Sequence, residues 1–265
     1  MKSVFSLYKL RRVIWSLAVN DIASKYKGSM VGAAWTLINP LLLLAVYTFV
    51  FSVVMKARWP GGGERDSLEF SVIIFSGLLV FWFFSECVQR APMTLRSNMT
   101  YVKKTMFPTE ILPMVPVLSA LFHFFVNFLV LMTFSMVVMG KFHPAALFAP
   151  LIILPFFILC CGLSWILSIL GVAARDIEQM VGMITTLFLF LSPIFYPITA
   201  VPERLRTVYQ LNPLTPVIEQ MRGAVIYGHA PDFLGLLIYM AVSVTVAAGG
   251  LLFFLRIKKL LAEII

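Results

Sequence analysis

Long apolar runs alternate with short polar connections along the whole chain of 265 residues. A helix needs about 20 apolar residues to cross the hydrocarbon core of a bilayer. Six runs reach or approach that length, and they cover residues 33–55, 70–88, 115–139, 148–171, 180–198 and 233–255. The pattern therefore predicts an all-α membrane protein with six transmembrane helices, built as a single transmembrane domain over residues 1–265.

The segment before the first apolar run predicts a further helix. Over residues 4–20, apolar side chains such as Ile14 fall on one arc of a helix, and basic side chains such as Arg12 fall opposite. A basic amphipathic helix beside a span is typical of the membrane interface. We therefore expect an interface helix over residues 4–28.

Two other connections also carry helix signals. Pro92 suits the first turn of a helix, and an apolar stripe follows it, which predicts a short helix over residues 92–107. Between the last two apolar runs, prolines open two short helices within residues 202–228. These are either re-entrant helices that cover an exit or a packed cap on the bundle, and the sequence does not separate the two.

Composition excludes a soluble protein. Hydrophobic residues make up 60% of the chain and charged residues only 12%, against about 45–50% and about 25% in ordinary soluble domains. The three cysteines, Cys87, Cys160 and Cys161, lie in apolar runs and are expected to be small buried side chains rather than disulfide partners. There is no CxxC pair or Cys/His cluster in the sequence, so we expect no metal site.

The net charge of +9 predicts an orientation rather than nucleic-acid binding. Six crossings place both termini on one side, and 14 of the 21 Lys and Arg residues then lie on that side. Because positive residues are enriched in cytoplasmic loops, both termini are predicted to be cytoplasmic.

Within the predicted spans the ionisable residues are few. Glu86 lies near one end of the second span and is expected either to snorkel towards the interface or to pair with Arg90 at i+4. His123 lies in the third span and is expected to bond Asn127 at i+4 or a neighbouring helix. Ion-coupled transport or intramembrane hydrolysis normally needs more ionisable groups than these. The nearest phosphate-loop lookalike, at 223–230, lacks the Lys and Ser/Thr that hold phosphate and magnesium. We therefore expect no catalytic residues, and any active transport must draw on a separate ATPase.

Several ordered strings along the chain resemble one family. They are DIASKYKGSMVGAAWTLINP at 21–40, KKTMFPTEILP at 103–113, RDI at 175–177, SPIFYP at 192–197, and NP at 212–213 with an arginine beyond. The chain is similar in these strings to the permease subunits of ABC-2 type exporters of lipid-linked polysaccharides, such as O-antigen, capsule and teichoic acid. It departs from the family pattern mildly, with Lys25 where Arg is common and Val31 where Leu is common.

The resemblance implies a homodimer in the bacterial cytoplasmic (inner) membrane, paired with two cytoplasmic ATPase subunits that bind ATP and magnesium. It also implies that this chain holds no cofactor and that the sugar polymer passes between the two protomers. The dimer would be surrounded by membrane lipids. The ATPases would be contacted by the amphipathic helix over residues 4–20, by the 92–107 coupling helix and by the 175–176 turn. The coupling residues would be Thr94, Arg96, Asn98, Tyr101, Lys103, Lys104, Phe107, Arg175 and Asp176. The external gate within 202–228 would involve Pro202, Tyr209, Asn212, Pro213 and Arg222.

Aromatic side chains are the predicted lining of the polymer path. Sugar rings present apolar faces that stack on aromatic rings, and hydroxyls that Tyr and Trp can bond. The candidates are Trp35, Tyr47, Phe81, Trp82, Phe188, Phe195 and Tyr196. The alternatives left open are an ABC-2 exporter of lipo-oligosaccharides or small amphiphiles on the same scaffold and, from another class, a membrane enzyme that processes lipids.

Overall fold

The computed structural model describes residues 10–54, 66–102 and 107–264. These residues fold into helices and connecting turns without strands, so the predicted all-α class is confirmed. The helices are α1 (Arg11–Tyr26), α2 (Trp35–Thr48), α3 (Asp66–Arg90), α4 (Met114–Met139), α5 (Ala149–Ala173), α6 (Asp176–Phe190), α7 (Glu203–Leu211), α8 (Leu214–Val225) and α9 (Phe233–Ile264). Lys103, Lys104 and residues 4–9 of the predicted interface helix lie outside the described residues.

Within the described residues, five stretches are long and apolar enough to cross a membrane. They are Gly32–Phe51, Leu68–Ser97, Thr109–Met139, Pro144–Ala173 and Phe233–Lys258. These stretches correspond to five of the six predicted spans. Hydropathy locates them well because each residue of a span contributes independently to its transfer into lipid.

The predicted fifth span is not one continuous helix, which corrects the prediction for 180–198. Helix α6 has 15 residues and ends at Phe190, and turns and bends follow over residues 191–197. A helix of that length is about 22 Å long, shorter than a hydrocarbon core of about 30 Å. Pro193 explains the early end, because proline disfavours the helical conformation of the residue before it.

Helix α3 is the centre of the bundle. Its most apolar window is 83% buried, against 11% for the span that contains α2 and 22% for the one that contains α9. A helix that is apolar all round packs on every side, and α3 contacts α4, α5, α6 and α8. Helices α5 and α9 pack together with their backbones close, since a β-carbon on Gly162 would lie 2.8 Å from Ala247 Cα.

Helix α1 lies against α4. Its buried side chains are Ile14 and Ala18, while Val13 and Trp15 are exposed. Over the part that the structure describes, the apolar arc predicted for residues 4–20 therefore contains the buried pair and the exposed Val13, and Trp15 lies outside that arc. The interface position of this helix stays a prediction.

Candidate functional site

The predicted 92–107 helix is interrupted in the structure. Helical turns at Ala91–Met93, Thr94–Ser97 and Met99–Val102 follow directly on α3. The interruption falls at Asn98, whose φ of −114° and ψ of 29° leave the helical region. The Asn98 side-chain amide donates to Thr94 O at 2.9 Å, which satisfies a carbonyl freed at this break. We call residues 91–102 the 91–102 segment.

The 91–102 segment rests directly on the end of α5. The Arg96 guanidinium donates to the carbonyl of Gly171, where the last carbonyls of a helix lack partners and attract positive charge. Gly171 also lets Pro92 pack on the α5 backbone, because a β-carbon at Gly171 would lie 2.5 Å from Pro92 Cα. Arg96, predicted to contact the ATPase, therefore has a partner within its own chain.

The residues after this segment are fastened to α5 and α9. The Trp165 indole Nε1–H donates to Glu110 O at 2.8 Å, and the Ser164 hydroxyl donates to Pro113 O at 2.6 Å. The Glu110 carboxylate pairs with Lys258 Nζ at 2.7 Å. Because Trp165 and Lys258 lie 55 and 148 residues beyond Glu110 in sequence, no local pattern reveals these contacts.

The other predicted coupling residues are more loosely placed. The rings of Tyr101 and Phe107 lie 4.8 Å apart between centroids. Arg175 and Asp176 are exposed at the start of α6, and no ion pair joins these two described residues. Asp176 lies in the first turn of α6, where a negative charge stabilises the helix.

Side chains from the α7–α8 region satisfy the backbone where α6 ends. We call residues 191–197 the 191–197 break. Asn212 Nδ2 donates to Leu191 O at 3.0 Å, and the Tyr196 hydroxyl donates to Phe190 O and contacts the Tyr209 hydroxyl at 3.0 Å. Carbonyls freed by the loss of helix thus find partners, as buried backbone groups require.

Arg222 holds the same break from α8. Its Nη2 donates to Pro193 O at 2.8 Å and Ile194 O at 3.3 Å, and its Nη1 pairs with Glu219 Oε1 at 2.8 Å. The side chain is only 2% exposed, and it lies beside Gly77, near the middle of α3, where a β-carbon would approach its Nη2 to 3.5 Å. The sequence predicted an external Arg222 but gave no sign of this burial.

The remaining predicted gate residues are the prolines. Pro202 is the residue immediately before α7, and Pro213 is the residue immediately before α8. Pro213 O also accepts a hydrogen bond from the Tyr239 hydroxyl of α9 at 2.9 Å. The structure therefore brings Asn212, Pro213 and Arg222 into one region around the break and leaves Pro202 at its margin.

The predicted channel aromatics divide into separate groups. Tyr47 and Phe195 both stack on Phe51, with ring centroids 6.2 and 6.0 Å apart. Sequence reasoning missed Phe51, although its i+4 spacing from Tyr47 places it on the same helical face. Tyr196 follows Phe195 directly in the break. These rings join α2 to the 191–197 break.

The other four aromatics lie elsewhere. Trp82 packs edge-on against Phe75 at 5.5 Å, and Phe188 packs edge-on against Phe84 at 5.6 Å. The Trp35 indole donates to Ser29 Oγ at 3.0 Å at the start of α2. Phe81 is 7% exposed and belongs to the interior of the chain, so it offers no ring face at the surface.

Glu86 and His123, the ionisable residues singled out within the predicted spans, are paired. Glu86 Oε1 contacts Arg90 Nη1 at 3.4 Å, which confirms the i+4 pair expected from the sequence. His123, which was expected to bond Asn127 or a neighbouring helix, places its Nδ1 2.9 Å from Glu86 Oε2. All three cysteines are buried and free, as predicted.

Comparison with known proteins decides the family. The family described as ABC-2 type transporter matches residues 12–226, which contain both the 91–102 segment and the 191–197 break. The chain belongs to the ABC-2 type transporter family. This confirms the resemblance drawn from the ordered strings.

Curated relatives of this ABC-2 transporter match it over most of its length. The O-antigen export system permease protein RfbA of Klebsiella pneumoniae is 28% identical over all of the chain and 99% of its own length. The protein of that name from Myxococcus xanthus is 29% identical over 92% of each chain. The polysialic acid transport protein KpsM of Escherichia coli is 22% identical over 87% of each.

We expect Asn212→Asp to destabilise this ABC-2 transporter by about 2 kcal/mol. Asn212 is buried, its Oδ1 accepts from Leu214 N at 2.9 Å, and its Nδ2 donates to the Leu191 carbonyl. A carboxylate keeps the first bond but sets an acceptor against the second carbonyl. Thermal unfolding of the purified chain in detergent measures the loss. The exposed Gln210→Ala should unfold like wild type, and equal behaviour of the two variants would contradict this role.

Proposed function

We propose that the chain is the membrane permease of an ATP-driven exporter that carries a lipid-linked polysaccharide across the bacterial cytoplasmic membrane. One observation carries the proposal: relatives matched over 87% or more of the chain are named as O-antigen export and polysialic acid transport proteins. The chain itself is a transport component, and a separate ATPase that binds ATP and magnesium supplies the energy.

The proposed arrangement has six crossings with both termini in the cytoplasm. Helix α6 and the 191–197 break together make the fifth crossing, and α7 and α8 form a re-entrant external gate. The burial of Arg222 beside the middle of α3 supports re-entry, because non-helical backbone at membrane depth is tolerated only when buried in protein. Two copies of the chain pair with two ATPase subunits.

The 91–102 segment is the proposed contact with the ATPase. Met93, Ser97 and Thr100 are exposed. Met93 and Ser97 lie four residues apart before the break at Asn98, which places them on one helical face, and Thr100 follows beyond the break. Thr94, which we predicted as a contact, is buried and donates its hydroxyl hydrogen to Arg90 O at 2.9 Å. Thr94 and Arg96 therefore hold the segment in place, while the exposed face meets the partner.

The proposed polymer path runs along α2 and the 191–197 break. Tyr47, Phe51 and Phe195 form a continuous aromatic group there, and each is partly exposed. Rings of this kind stack on the apolar faces of sugars without binding any one sugar tightly. The span that contains α2 is the least buried of the five, so a face of it is free to border the path.

The test is reconstitution of the chain with the ATPase encoded beside it in vesicles loaded with lipid-linked polysaccharide. We expect ATP-dependent transfer of the polymer across the vesicle membrane and none with the chain alone. Transfer of short lipo-oligosaccharides but not of long polymer would favour the alternative cargo. Failure to move either cargo, together with intact surface glycan after gene deletion, would overturn the proposal.

A further inference from the structure

A cluster of polar side chains fastens α1 to two of the spans. We call this cluster the α1 latch. Its members are Asp21, Lys25 and Tyr26 of α1, Glu86 and Arg90 of α3, and Ser119 and His123 of α4. In sequence, α1 lies 61 to 98 residues from its partners, so the fold alone brings them together.

Glu86 is one centre of the α1 latch. One carboxylate oxygen contacts Lys25 Nζ and lies 3.4 Å from Arg90 Nη1, and the other lies 2.9 Å from His123 Nδ1. The remaining ring nitrogen of His123 lies 3.2 Å from the Tyr26 hydroxyl. A neutral imidazole with its hydrogen on Nδ1 donates to Glu86 and accepts from Tyr26, so it satisfies both contacts.

Asp21 is the other centre. Its Oδ1 lies 2.6 Å from Arg90 Nη2, and its Oδ2 accepts from the Ser119 hydroxyl at 2.6 Å. Burial raises the pKa of the Asp21 carboxyl, but the hydrogen bonds from Arg90 and Ser119 outweigh burial and hold the pKa below its ordinary value. Asp21 is therefore charged at neutral pH.

The α1 latch is balanced in charge. Asp21 and Glu86 supply two negative charges, and Lys25 and Arg90 supply two positive charges. Arg90 contacts both carboxylates, and a guanidinium is suited to this because its donors form a planar fork. Pairs that are mostly withdrawn from water are screened less than surface pairs, and the side chains of Asp21 and Glu86 are only 22% and 21% exposed.

Arg90 connects the α1 latch to the 91–102 segment. It is the last residue of α3, the segment begins at the next residue, and its carbonyl accepts from the Thr94 hydroxyl. A cleft of about 600 Å³ lies between α1 on one side and the end of α3 with the 91–102 segment on the other, and Asp21 and Arg90 are in its walls. The Asp21–Arg90 ion pair of the latch joins the two walls across this cleft.

Helix α1 leads directly into the span that contains α2. Only residues 27–34 connect the two helices, and Gly28 and Gly32 turn this connection with φ of 85° and 58°. Those values suit glycine because side chains disfavour positive φ. Any displacement of α1 is therefore carried over a short connection to the start of α2.

We propose that Asp21, Glu86 and Arg90 are positioning residues that lock α1 to the 91–102 segment, so that α1 moves with that segment when the ATPase acts on it. The inference rests on the proposed function, since it assigns a path for that motion. Motion of the 91–102 segment would then reach two parts of the bundle. It would reach α5 through the contact at Gly171, and it would reach α2 through the α1 latch and α1.

The test uses Arg90→Gln in the full chain, reconstituted with its ATPase. We expect the polymer exported per ATP hydrolysed to fall about tenfold, while co-purification and ATP hydrolysis stay within about twofold of wild type. Spin labels at Ser24 and Gln89, on opposite walls of the cleft, report the latch directly in chains diluted with unlabelled copies. The distance distribution should be narrow in wild type and broad in Arg90→Gln.

Three further variants sharpen the result. Arg90→Lys should recover part of the coupling, because an ammonium can pair with one carboxylate but lacks the fork. Lys141→Gln removes an exposed positive charge between α4 and α5, outside the latch, and should change neither readout. Asp21→Asn replaces Arg90→Gln if that variant does not accumulate, and the same loss of coupling is expected.

The outcomes separate the two proposals. Wild-type export with unchanged coupling in Arg90→Gln, whether or not the label distance broadens, overturns the positioning role. An unchanged distance distribution in Arg90→Gln and Asp21→Asn overturns the latch itself. If wild type moves no polymer with its ATPase, the proposed function fails, and the spin-label distances still decide whether the latch holds α1.

Discussion

Arg222→Met is expected to lower the free energy of unfolding by about 3 kcal/mol or more. The Arg222 guanidinium donates to the carbonyls of Pro193 and Ile194 and is almost fully buried, so water cannot replace it at either carbonyl. Methionine fills a similar volume without a donor and leaves both acceptors buried and unsatisfied. The ion pair with Glu219 adds little, because that carboxylate is 39% exposed.

Thermal unfolding of the purified chain in detergent, with yield in the membrane fraction, measures this loss. Arg222→Lys should fall between wild type and methionine, since an ammonium keeps the charge but cannot hold two carbonyls as a planar fork does. Arg204→Met is the matched control on the exposed surface of α7 and should change stability by less than about 0.5 kcal/mol. Equal stability of the Arg222 and Arg204 variants would refute the clamp.

Gly171→Ala is expected to reduce polymer export at least about tenfold while the chain still inserts into the membrane. An added β-carbon would lie 2.5 Å from Pro92 Cα and 2.7 Å from its carbonyl carbon. Both atoms are backbone, so no side-chain rotation relieves the clash, and the 91–102 segment must shift off α5. Export per ATP hydrolysed in reconstituted vesicles measures the effect.

Gly182→Ala provides the matched control for this change. Gly182 lies within α6, and among the described residues no atom outside the adjoining helix backbone lies within 4 Å of the position that its β-carbon would take. Alanine there removes only the helix penalty of glycine and should stabilise the protein by up to about 1 kcal/mol. Wild-type coupling in Gly171→Ala would show that the close contact with Pro92 is dispensable for transport.

Much of the fold followed from local pattern. Five apolar runs correspond to five candidate spans, because a run of apolar side chains has a favourable transfer free energy wherever it lies in the fold. The fifth run was predicted as continuous, although Pro193 within it signals a break. The prediction of a continuous span followed the apolar composition of the run and disregarded that proline. In the structure the helix ends before Pro193, because proline restricts the backbone of the residue before it.

The candidate site was predictable in outline only. The ordered strings located the 91–102 segment and the gate residues, and the family match confirms what they resemble. They did not show that Arg96 bonds Gly171 or that Thr94 is buried. Side chains face a partner or the interior according to how helices pack, and that packing is not encoded in residue type.

The sequence by itself determined that this protein is helical, lies in the membrane and belongs with the ABC-2 exporters. Those properties depend on composition and on short sequence strings, and neither of these depends on which residues are neighbours in the folded structure. Only the tertiary structure decided that Arg222 closes the break after α6 and that Asp21, Glu86 and Arg90 join α1 to the spans. Hydrogen bonds and ion pairs act over about 3 Å, so contacts between residues tens of positions apart exist only once the helices are packed.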